Sequence, residues 1–157
     1  MKGNEDTASF CEHLYNTQSV SPVTWVEVAE NPEAVSSLFD TPPSLQGVEV
    51  FAINIDRDGP TVELKIALSE YPKTPPARWQ MQEANTVVMT LQLMAVAHIE
   101  IQGWSTTNRA DIEIARSREG HLQVVAAGGS FKMLARFGFL RIVGLAAYNR
   151  SGGPHPR

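Results

Sequence analysis

Cysteine is nearly absent: Cys11 is the single one in 157 residues. One thiol cannot build an internal disulfide framework, and its solitude suits a reducing compartment. Long apolar runs are missing too. The longest, residues 93–97, is far too short to span a bilayer. The first residues are polar and acidic, without the basic-then-apolar order of a secretion signal. A cytoplasmic protein with no membrane partner is the expectation. Positive charge is also in short supply. Thirteen lysines and arginines face 17 acids, for a net charge of −4, and the bases are scattered. That is far from the basic footprint of a nucleic-acid binder.

What remains is 43% hydrophobic and 19% charged, an ordinary globular composition long enough for one domain. The charge is uneven. Residues 1–49 hold eight acids against Lys2, while the remainder holds nine acids and twelve bases. Either the acidic stretch is a solvated face, or it meets a basic partner. Glu27, Glu30, Glu33 and Asp40 are the candidate partner-binding residues of the second reading.

Residues 47–69 carry the clearest structural signal. Phe51, Ile53 and Ile55 alternate with smaller or polar residues, and Val62, Leu64, Ile66 and Leu68 do the same. Period-two alternation places each set on one face of a strand, and Asp58-Gly59 between the runs marks a hairpin. Pairing Ile55 with Val62 also pairs Ile53 with Leu64 and Phe51 with Ile66. The reading therefore expects these side chains to share one buried face, each worth about 1.5–3 kcal/mol if covered. Pro60 lacks the N–H that would close a two-residue turn, so a four-residue loop, 57–60, is expected.

Residues 1–23 read as a flexible leader with a helical turn near 10–15, and residues 150–157 as a disordered tail. Between them, 24–149 reads as one domain. Asn31-Pro32-Glu33 announces a short helix, with Asn31 as its cap, and Pro42-Pro43 ends it. The proline-rich stretch 71–79 is a connector held over the sheet by Trp79. Alternating positions at 87–93, 99–101, 112–114, 122–126, 131–135 and 139–147 add six strands. A bulge or tight alanine turn at 95–97 must separate the first two. Trp25, Trp79 and Trp104 read as seals on the core. The fold class is mainly β (α+β): an antiparallel β-sandwich or curved sheet of about eight strands with one short N-terminal helix.

The search for chemistry yields no catalytic residues, metal-ligand set or cofactor motif. Asp56-Arg57-Asp58-Gly59 begins like a calcium loop, but its twelfth position is Ala67 instead of a bidentate glutamate. Cys11-Glu12-His13 offers a thiol beside an imidazole without further ligands. A hydrolase would need His98 or His121 to converge with Glu100 or Asp111. A small-ligand-binding β-barrel would need a strand face of small residues. Ala126, Ala127, Gly144, Ala146 and Ala147 are the one hint of that.

Several landmarks recur in a fixed order: Trp25, Asn31-Pro32, Pro43-x-Leu45-x-Gly47, Asp56-x-Asp58-Gly59-Pro60-x-Val62-x-Leu64, Pro72-x-x-Pro75-Pro76-x-Arg78-Trp79, Gly103-Trp104 and Tyr148. In that order and spacing the chain resembles the immunity protein 50 family of bacterial polymorphic toxin systems. The resemblance implies a small non-enzymatic protein that binds and neutralises a cognate toxin domain made by the same or a sibling cell. It carries over no catalytic residues and no cofactor. Were the toxin a nuclease, its basic substrate groove would suit Glu27, Glu30, Glu33 and Asp40.

Overall fold

Alternating apolar runs become strands throughout the computed structural model, which describes residues 20–22 and 24–150. The strands are β1 (Val20–Pro22), β2 (Val48–Asp56), β3 (Thr61–Ala67), β4 (Thr86–Met94), β5 (His98–Gln102), β6 (Arg109–Ser117), β7 (Leu122–Gly128), β8 (Phe131–Phe137) and β9 (Phe139–Tyr148). Every pairing between them is antiparallel. Eight follow in the order β5-β8-β7-β6-β2-β3-β4-β9, with β1 beside β6. The expected mainly-β class is the one observed, as one curved sheet. It does not close, and β5 and β9 are its two ends.

The curvature comes from two uninterrupted passages of chain. β4 runs into β5 past Ala95, which takes the left-handed φ of 54°, and β8 runs into β9 through Gly138. Since β4 pairs with β9 and β5 with β8, one long ribbon bends from one half of the sheet to the other. Gly138 N–H donates to the Met94 carbonyl at 2.8 Å and Ala97 N–H to that of Arg136 at 2.9 Å, fixing the corner. The inner faces then meet in one cluster. Leu64, Ile66 and Met89 from one half and Val124, Met133 and Phe137 from the other are all buried in it.

The β2–β3 hairpin keeps its expected loop, with turn residues 57–60 and Asp56 opposite Thr61. Ile55 faces Val62 and Ile53 faces Leu64, also as expected. Lower down the register differs. Val50, not Phe51, faces Ile66, and Phe51 is the extra residue of a bulge. A bulge bends its strand, and β2 bends here to reach β6, which it pairs at Val48 and Glu49. The expected common buried face is therefore corrected. Val62, Leu64 and Ile66 are buried, Phe51 and Ile53 are half-buried, and Ile55 is 56% exposed.

Three short helical pieces complete the fold: a 3-10 turn (Trp25–Val28), α1 (Glu33–Ser36) and α2 (Ala77–Met81). α1 is the expected helix. α2 is an addition within the proline-rich connector, where Pro76 occupies its N-cap position and its carbonyl accepts from Trp79 N–H at 2.9 Å. Trp79 is buried as expected, its ring 6.2 Å from that of Tyr71. Trp25 is buried too, but Trp104 is 47% exposed instead of buried. Residues 20–22, inside the expected leader, pair with β6. Cys11, Glu12, His13 and the turn at 10–15 lie outside the described residues. No helix among the described residues is long and apolar enough to cross a membrane.

Candidate functional site

The acidic candidates sit on a firmly anchored segment. Trp25 buries its ring and donates from Nε1 to the Pro43 carbonyl at 3.0 Å. Ala29 bridges to Leu140 of β9, and Val35 and Phe39 fill the core below α1. With the apolar side committed, Glu27 on the 3-10 turn, Glu30 after it, Glu33 on α1 and Asp40 beyond it all face solvent. Among the described residues no cation lies within ion-pairing distance of any of the four. Unpaired, exposed carboxylates on a rigid support project a negative field outward.

Asn31 does something the sequence reading did not foresee. In place of capping α1 with its side chain, it reaches β9. Its Oδ1 accepts from Ile142 N–H at 2.8 Å and its Nδ2 donates to the Ile142 carbonyl at 2.7 Å. Asn85 repeats the arrangement at the other end, accepting from Arg150 N–H at 2.8 Å and donating to its carbonyl at 3.4 Å. Arg150, placed in the tail by the sequence reading, also ion-pairs with Glu49 at 2.8 Å. Glu49 is 4% exposed, so the guanidinium offsets the cost of burying its carboxylate. The pair raises the Arg150 pKa further above its ordinary value, the hydrogen bond to Glu49 contributing most.

Beside this pair lies a groove of about 760 Å³ on the outer face of β2, β3, β4 and β9. Gly144, Ala146 and Ala147, three of the small residues singled out in the sequence, line it together with Val88 and Thr90. Ala126, a fourth, lies in the core. Trp104 stands over the groove, edge-on to Phe131 with ring centres 5.7 Å apart. Gly103 permits that placement: at φ +70°, a Cβ would sit 1.9 Å from the Ser130 carbonyl oxygen. Tyr148 closes one end. Burial pushes its hydroxyl pKa above the ordinary value, with the Arg150 charge and the side chains of Thr86 and Arg150 opposing.

Among the described residues the histidines form no relay. His98 Nε2 lies 2.6 Å from Glu100 Oε2 on an exposed strand. His121 Nδ1 lies 3.0 Å from Ser117 Oγ and 3.8 Å from Glu119 Oε2. A hydrolytic triad needs the hydroxyl and the carboxylate on opposite ring nitrogens, whereas here both approach Nδ1. Asp111 accepts instead from the Gly47 N–H at 2.8 Å. Among the described residues no three His, Cys, Asp or Glu side chains could hold a metal ion.

Residues 31–148 match the family described as Immunity protein 50. No curated protein and no solved structure matches the chain.

Proposed function

Because the chain belongs to the immunity protein 50 family, we propose that it binds a cognate toxin domain of a polymorphic toxin system and neutralises it by occupancy, without catalysis. The family match over residues 31–148 carries this reading. An immunity protein of this kind acts in the cytoplasm, where its lone thiol stays reduced. It works by complementarity over about 1,600 Å² in total, with a few anchors dominating.

The docking surface we assign is the exposed acidic segment, Glu27, Glu30, Glu33 and Asp40. A toxin whose substrate groove is basic, as a nuclease's is, would be steered to it. Association would then be fast at low salt and slow as ionic strength rises. The test is co-expression with the toxin domain encoded beside this gene, then titration of the purified pair. Rescued growth and saturation near one-to-one support the reading. Failure to bind that domain, or turnover of a substrate by the isolated chain, overturns it.

The groove under Trp104 favours a second reading, a binder of small ligands, since its volume lies in the range of ligand sites. Quenching of Trp104 fluorescence by a small-molecule panel, with no toxin binding, would favour it over the first.

A further inference from the structure

β9 is an edge strand whose first half is covered on its outer side and whose second half is not, among the described residues. On the side away from β4, the Leu140 carbonyl accepts from Glu30 N–H at 2.8 Å, and the Asn31 amide engages both backbone groups of Ile142. Segment 29–31 thus stands in for a missing neighbour strand over residues 140–142.

Beyond that cap the edge is open among the described residues. Thr90 faces Gly144 while Leu91 faces Ile142, so Val143 is the extra residue of a bulge. Val87 gives its carbonyl to Leu68 on the β3 side, so Val88 and Thr90 turn their backbone groups toward β9, where they pair with Ala146 and Gly144. Alternation then turns the N–H and C=O of Leu145 and Ala147 outward. Among the described residues nothing bonds to these outward groups.

Natural edges are blunted by charge, proline or cover. β9 has no proline and a single charge, Arg141, and it leaves Phe139 at 55% and Val143 at 51% exposure. Gly144, with no side chain, and Ala146, with a single methyl, leave the adjoining groove open to side chains from an added strand. At the closed end of the edge stand Glu27, Glu30 and Glu33, exposed and unpaired.

We propose that residues 143–147 of β9 accept an extended segment of the partner as an added strand, and that this segment carries basic residues where it meets the Asn31 cap. The proposal rests on the toxin-binding reading and specifies its surface. Main-chain bonds to Leu145 and Ala147 would give affinity, and the acidic cap would set direction and charge preference.

The test is backbone hydrogen exchange on the full chain, free and saturated with the toxin domain encoded beside its gene. Free, the amides of Leu145 and Ala147 should exchange quickly and those of Gly144 and Ala146 slowly. In the complex, Leu145 and Ala147 should become protected. Ala147→Pro, which removes one outward N–H while leaving the β4 side intact, should weaken binding about tenfold, as loss of one well-formed bond does. The pair Glu30→Lys and Glu33→Lys, whose carboxylates are exposed and unpaired, should weaken it too, by less at high salt. Tight binding with both amides still exchanging freely would overturn the added strand and leave the immunity reading intact. Protection that rises with the concentration of this chain alone would make a second copy the occupant, and overturn it as well. No binding at all would remove both.

Discussion

β2 and β3 are two arms of one hairpin, carry the same alternation, and end in different surroundings. β3 lies between β2 and β4, and its inward residues Val62, Leu64 and Ile66 are at most 1% exposed. β2 has a second neighbour only at its base, where Val48 and Glu49 meet β6. Past the bulge at Phe51 it has β3 alone, and exposure climbs until Ile55 stands 56% open opposite a buried Val62. Alternation tells which side chains share a face. Whether that face is covered depends on strands that are distant in sequence.

The sharpest way to break this contrast is Leu64→Ala. Leu64 is 1% exposed amid packed neighbours, so the change removes burial and leaves a cavity, at about 4 kcal/mol in denaturant melts. A loss below about 1 kcal/mol would show β3 to be as loosely covered as the tip of β2.

Next is the base of β2. Arg150→Met leaves the buried carboxylate of Glu49 without its guanidinium. Breaking such a pair costs about 3 kcal/mol, the low end of the usual range because Arg150 keeps some contact with solvent. If melts show no loss, the base is held by β6 alone. At the neighbouring end of β9, Tyr148 adds a smaller, pH-dependent effect. Its folded pKa is raised, chiefly by burial, so its contribution is complete below pH 10 and fades as pH rises through the folded value. Tyr148→Phe should flatten that alkaline limb and change little at neutral pH.

The parts legible in the sequence are those set by neighbours in the chain. β4 places an apolar residue at every second position from Val87 to Leu93, and Val87, Met89, Leu91 and Leu93 are all buried. Asp58-Gly59-Pro60 dictated its own loop. The acidic cluster could be read as a charge patch because four carboxylates crowd 14 residues. Other features depend on long-range contacts. Asn31 meets Ile142 across 111 positions, and Arg150 meets Glu49 across 101. No local pattern distinguishes an asparagine that caps a helix from one that stands in for a strand. The open edge of β9 was hidden for the same reason. Its residues read as an ordinary last strand, and only sheet order shows that no described strand lies beyond it. Trp104 misled because a tryptophan at a strand end is more often buried, and here Gly103 holds it out over a groove.

The smallest expected effect is the most discriminating. Ile55→Thr keeps the β-branched shape that strands favour and removes only apolar surface that is already largely in water. Melting midpoints and denaturant curves should therefore agree with the unmodified chain to within about half a kcal/mol. The same substitution one inward position earlier, Ile53→Thr, should cost more, since that side chain is half-buried against the core. The two residues differ in little but their distance from β6, so the gap between their costs measures how far the cover extends along β2. Equal losses would mean that the tip of the arm is packed in solution, with Ile55 closed down on Val96 and Ile99 across the shallow groove that separates them. The contrast between the two arms would then vanish.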